Sequence, residues 1–140
     1  MSLPDTYEIY AVLYAHHARR ASENFLGGDP HDGPMPIDFF VWAIVGAKQT
    51  FVVDTGFNPE MARKRQRELL RTPAEGLKMI GVEPDKVRDV IVTHMHYDHA
   101  GCLDEFTAAR SHVQDREMAL GTGRTMVHGV TRFPFVASEV

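Results

Sequence analysis

Short apolar runs alternate along this chain with polar breaks marked by Gly and Pro. Residues 7–14 (YEIYAVLY) are aromatic and β-branched with partial alternation, and predict a strand. Residues 39–45 and 50–53 predict two more, and Gly46-Ala47-Lys48-Gln49 between them fits a hairpin. Residues 16–36 are polar and broken by Gly27-Gly28-Asp29-Pro30 and Asp32-Gly33-Pro34, which suggests a long functional or mobile loop. Asn58-Pro59-Glu60 opens a helix with a cap, a proline at the first helical position and an acid in the first turn; the pattern runs to about Leu70. Thr72-Pro73-Ala74-Glu75 is a capping box for a second helix to Ile80, which Gly81 stops. Pro84 to Val87 reads as a turn or short helix. Asp89-Val90-Ile91-Val92-Thr93 reads as a buried strand. Ser111-His112-Val113 predicts a short strand, and Asp115 caps a helix to about Leu120. From Gly121 onward the pattern fades and predicts no element. This order implies an α/β (α+β) chain, a mixed sheet with helices on one face.

At 140 residues the chain makes one domain at most. Its 44% hydrophobic and 24% charged residues are ordinary for a globular protein. A net charge of −4 argues against a general nucleic-acid binder, so Arg63, Lys64, Arg65 and Arg67 are expected to form a solvated helix face. The single cysteine, Cys102, forms no internal disulfide and is expected to be small filler beside Gly101. Met1-Ser2-Leu3-Pro4-Asp5 lacks a basic stretch followed by an apolar one, so no secretory signal is expected. No apolar run approaches the roughly 20 residues that span a bilayer, so no membrane partner is expected and a cytoplasmic location is.

The chemistry concentrates in Thr93-His94-Met95-His96-Tyr97-Asp98-His99-Ala100-Gly101. Clustered imidazoles repel one another when protonated and gain little by packing; a divalent cation accounts for them. His94 and His96 lie two apart at a strand end and point the same way. Asp98 and His99 are adjacent, so they need a turn, which Ala100 and Gly101 permit. The expectation is two neighbouring metal sites, His94 with His96 and Asp98 with His99. Imidazole and carboxylate together suit zinc, with iron, manganese or cobalt as alternatives.

The run resembles the His-x-His-x-Asp-His signature of the metallo-β-lactamase superfamily. Phe51-Val52-Val53-Asp54-Thr55-Gly56 resembles that superfamily's strand ending in an Asp-Thr-Gly turn, where the Asp supports the metal ligands from behind. Within it the chain looks most like the N-acyl homoserine lactonases, through residues 7–14, Ser22-Glu23-Asn24-Phe25, Pro36-Ile37-Asp38-Phe39-Phe40 and Gln114-Asp115-Arg116-Glu117. The resemblance implies an αββα sandwich, of which residues 1–140 supply the N-terminal half, cut short before the second half. It implies metal ligands His94, His96, Asp98 and His99, with Asp54 behind them. It further implies two zinc ions with a bridging hydroxide that open a lactone, and Asp98 as the catalytic group passing a proton to the leaving oxygen.

The later family ligands have no convincing counterpart. His128 lacks the expected Gly-His-Thr context and is read, with His112, as a surface or loop residue. Enzymatic activity of this length alone is therefore left open. Half a sandwich exposes an apolar sheet face, so self-association or a missing C-terminal half is expected. The expected partner is a small ester or lactone. Phe25, Leu26, Met35, Phe39 and Phe40 are candidates for an acyl-chain pocket, with ordinary packing the stronger expectation, and His16 and His17 are expected at the surface. Other hydrolases on the same scaffold remain open: a thioesterase of the glyoxalase II kind, a β-lactamase or a phosphodiesterase. So does a non-catalytic metal-binding half-domain.

Overall fold

The structure, a computed structural model, describes residues 5–136. The opening four residues, part of the segment read as lacking a secretory signal, lie outside the described residues, as do the last four. Six strands form one mixed sheet in the order β4-β1-β2-β3-β5-β6. These are β1 (Tyr7–His17), β2 (Ile37–Gly46), β3 (Thr50–Val53), β4 (Glu68–Leu69), β5 (Asp89–Ile91) and β6 (Arg110–His112). β1 pairs antiparallel with β2 and β4, and β2 with β3. β3, β5 and β6 run parallel, as expected where helical segments cross between strands.

The two sheet faces differ sharply. On one, Val12, Tyr14, Val41, Ala43, Val52 and Val90 are buried. They pack under α2 (Pro59–Arg65), α3 (Pro73–Met79) and the short α4 (Tyr97–Ala100), where Leu77 and Phe57 are fully buried. The α3 backbone approaches closely at Gly76, where a Cβ would lie 2.5 Å from Val12 Cγ1. The opposite face carries the paired residues Ile9 and Ile44, Ala11 and Trp42, Leu13 and Phe40, then Val53 and Ile91. Among these Ile9 is 67% exposed and Trp42 43%. The apolar face expected of half a sandwich is therefore present. Among the described residues no helix is long and apolar enough to cross a membrane.

Four local expectations need correction. The helix from Pro59 stops at Arg65 rather than near Leu70, because Gln66 turns left-handed (φ 56°) and releases the chain into β4. The long polar loop is shorter and better tied: β1 continues to His17, and α1 (Ala21–Asn24) is held from across the loop by Asp32. Asp32 accepts from the Ser22 N–H (2.9 Å) and Arg20 Nε (2.7 Å), and these partners lower its carboxyl to about 2. The helix α5 (Asp115–Gly121) takes Gln114 rather than Asp115 as its N-cap residue. The tail without predicted structure forms a 3₁₀ turn, Arg124–Val127, then α6 (Gly129–Arg132), and docks back: Tyr97 N–H donates to Pro134 O at 2.7 Å.

Candidate metal centre

The centre lies beyond the carboxyl ends of the parallel strands β3 and β5, where open α/β sheets place their ligands. Alternation aims its side chains. Met95 and Tyr97 are buried in the core, while His94, His96 and Asp98 are half-buried on the outer side. His94 and His96 stand with ring centroids 4.4 Å apart, and α4 brings the His99 ring to 3.9 Å from His94. His99 Nε2 lies 3.6 Å from Asp98 Oδ2.

Asp54 is the anchor beneath. It is 4% exposed and left-handed (φ 62°), a conformation that Asp tolerates better than most residues. Its Oδ1 accepts from the Thr93 N–H at 2.8 Å, and the Thr93 hydroxyl bonds both carboxylate oxygens at 3.0 and 2.8 Å. Its Oδ2 takes His99 Nδ1 at 2.8 Å. That contact fixes the tautomer with Nε2 turned toward Asp98. Burial pulls the His99 imidazole down, but the hydrogen bond and charge of Asp54, with Asp98, outweigh it and raise it overall. Burial, with His99 and His96 nearby, lowers His94 and favours its neutral, ligating form.

The support extends to residues that sequence reasoning missed. The β1–β2 register shifts between Leu13 and Ala15, leaving Tyr14 as the extra residue of a bulge. Its fully buried phenol donates to the Asp98 carbonyl at 3.0 Å, and burial pushes that phenol up. The Thr55 N–H donates to His99 O at 2.6 Å, and Glu117 Oε1 accepts from the Met95 N–H at 2.9 Å. Gly101 is required by approach rather than by dihedral freedom: a Cβ there would lie 2.4 Å from Tyr97 O. The Asp-Thr-Gly turn was a sequence signal for this platform; the bulge had none.

The donor chemistry fits a zinc-type cation: three imidazoles and a carboxylate on one loop, one imidazole braced from behind. The His94 ring neighbours those of His96 and His99 at tilted angles of 70° and 45°. Among the described residues, no group of three or more His, Cys, Asp or Glu is positioned to hold a metal ion.

A braced His-x-His-x-Asp-His loop at this place in a mixed sheet has relatives. The model of the metallo-beta-lactamase superfamily matches residues 39–137. This chain belongs to that superfamily. Among curated relatives, the N-acyl homoserine lactonase AiiB of Agrobacterium fabrum is 28% identical over 104 residues, 65% of this chain and 37% of that protein. Its namesake from Rhizobium rhizogenes is 27% identical over the same shares. The chain thus spans 37% of the length of the curated relatives it matches. A crystal structure of a quorum-quenching N-acyl homoserine lactone lactonase superposes with TM-score 0.64 at 19% identity, over 97% of this chain and 56% of that one. A probable metal-dependent hydrolase from Staphylococcus aureus gives TM-score 0.69 at 14% identity, over 95% and 55%. At such identities the likeness shows the metallo-beta-lactamase fold alone, and here it covers about half of each neighbour.

The other sequence candidates lie elsewhere. His112 pairs with Asp89 at the far end of β5, and His128 is exposed. His16 bonds Asp38 at 2.6 Å, while His17 Nε2 faces Arg67 Nη1 at 2.8 Å. Phe39 packs on Tyr14 and Phe57, Phe40 sits on the exposed sheet face, and Phe25 and Leu26 are exposed. Cys102 is buried, as filler would be.

Proposed function

We propose that this chain carries the first half of the active site of a metal-dependent hydrolase, with lactone opening of the N-acyl homoserine lactone kind as the leading activity. The observation that carries this is the Asp54–His99 brace beneath three adjacent imidazoles. His94, His96, Asp98 and His99 would hold the metal, zinc by donor type and two ions in a completed site. When bound, zinc would supply a Lewis acid toward the substrate carbonyl. Asp98, half-buried beside His99, would accept the proton that the attacking water releases and pass it to the leaving oxygen. Asp54 holds His99 in one tautomer, and Tyr14 fixes the backbone under Asp98. Residues 1–140 are read as one domain that needs a covering layer, either a C-terminal half or a second copy. The exposed face bearing Ile9, Trp42 and Phe40 supports that need. A cytoplasmic location belongs to the same proposal.

The test pairs metal analysis with hydrolysis of homoserine lactones, S-lactoylglutathione, nitrocefin and bis-p-nitrophenyl phosphate. About two zinc per chain and lactone opening are expected; hydrolysis of another member instead moves the assignment within the fold. Light scattering reads the covering layer, and a stable monomer would count against it. A second reading, a non-catalytic metal-binding half-domain, rests on the four clustered donors standing without the later ligands of the family pattern. One weakly held zinc or none, without turnover, would select it.

A further inference from the structure

Against the candidate centre lies a cavity of about 730 Å³ whose lining includes Lys64, Arg65, Arg67 and Arg132 and no carboxylate. In a chain of net charge −4, four cations on one cavity are a local reversal. Among the described residues none of the four has a carboxylate partner within 4 Å: the ion pairs form elsewhere. The sequence expectation of a solvated basic face holds for Arg63 and Lys64, which are exposed, but not for Arg65 and Arg67, which are drawn inward to half-buried positions. The Arg65 guanidinium lies 4.4 Å from the Tyr97 ring centroid and 4.0 Å from that of Phe133. Its Nε is buried with no hydrogen-bond partner among the described residues. Arg67 Nε donates to the Tyr97 hydroxyl at 3.2 Å, and its Nη1 faces His17 Nε2. Burial and the Arg67 charge lower His17, which favours the neutral imidazole and adds no further cation beside Arg67.

The rest of the wall is apolar, with Met61, Met126 and Phe135. Phe135 joins the cavity to the centre, its ring 5.2 Å from that of His96. Two half-buried arginines, with exposed Lys64 and Arg132 at the rim and no carboxylate among them, beside an apolar wall favour a ligand that is both anionic and greasy. We propose that this cavity binds a small amphipathic anion, a carboxylate or phosphate on an apolar body. As the substrate's remote end, that group would leave the scissile carbonyl near His96. This last role rests on the hydrolase reading; the anion site does not. On that reading an ester or lactone bearing an acid group would gain a contact that an uncharged acyl lactone lacks, and would be turned over in preference to it.

The test uses the whole chain stripped of metal by chelation, with octyl phosphate, octanoate, octanol and octylammonium as probes in calorimetry and amide NMR. Both anions are expected to bind at least about tenfold more tightly than octanol or octylammonium, shifting amides around Gly121 and Arg65, and to weaken with salt. Lys64→Gln/Arg132→Gln, two outward positions, should lose about tenfold in anion binding, while His94→Ala should retain it. Equal binding of octanol, an unaffected double variant, or sedimentation with phosphatidylglycerol vesicles without monomer binding would each overturn the proposal. Zinc binding is measured separately, so loss of the metal reading and loss of the anion site are told apart.

Discussion

Two carboxylates in this molecule each meet an imidazole at 2.8 Å, and only one of them sits in a candidate centre. Asp54, past the end of β3, takes His99 through Nδ1 and fills its other positions with Thr93. Asp89, at the start of β5, takes His112 through Nε2 and adds Arg110 at 3.2 Å and Gln49 at 3.3 Å. The distances match, but the surroundings do not. His99 keeps Nε2 turned toward Asp98 with two further imidazoles beside it, whereas His112 stands with an arginine as its neighbour and half its side chain in solvent. An Asp–His pair is therefore a structural unit first. On the proposed reading it would serve as a metal support only where the bonded nitrogen leaves the other one facing more donors.

The widest separation should come from zinc binding. His94→Ala or His96→Ala is expected to weaken zinc by at least about 100-fold in calorimetry, and His112→Ala to leave it within about twofold. Equal losses would erase the distinction. Next, Asp54→Ala strands the Thr93 N–H and frees His99. It should cost about 2–3 kcal/mol, or about 5–10 °C in a thermal melt. It should also weaken zinc by about 10–100-fold. The Asp89→Asn control should lower the melting temperature without touching zinc. A smaller effect is expected for Tyr14→Phe, which removes only the hydrogen bond to Asp98 O and should cost about 1 kcal/mol in urea unfolding. The finest test is pH. The His112 hydrogen bond, with Arg110, holds the Asp89 carboxyl below its ordinary value, although burial opposes this. The stability so gained is present above the unfolded value and is lost as pH falls through the folded one. His112→Ala should therefore bring acid unfolding on at higher pH, as followed by circular dichroism.

The sheet was legible because its strands are local: β-branched runs bounded by Gly, Pro and Asp announce themselves. That His94, His96, Asp98 and His99 gather in one place was legible because their spacing at a strand end and turn brings them together. What stayed hidden depended on distant contacts. Nothing near Gln66 says that the chain must break there to reach β1 as β4. Nothing near Phe135 says that it will pair with His96, so the tail looked patternless. Arg65 and Arg67 read as surface charges because the Tyr97, Phe133 and His17 they meet lie 30 or more residues away, or on a segment without a pattern.

The alternation that buries Met95 and Tyr97 between the outward donors has a practical result for protein engineers. Each donor shares a peptide bond with a core anchor, so interior redesign and reprogramming of the reactive loop cannot be pursued independently. Libraries aimed at new substrates should diversify the basic cavity rim and leave those two anchors untouched. Substitutions at either anchor are expected to lower thermal stability and metal affinity together.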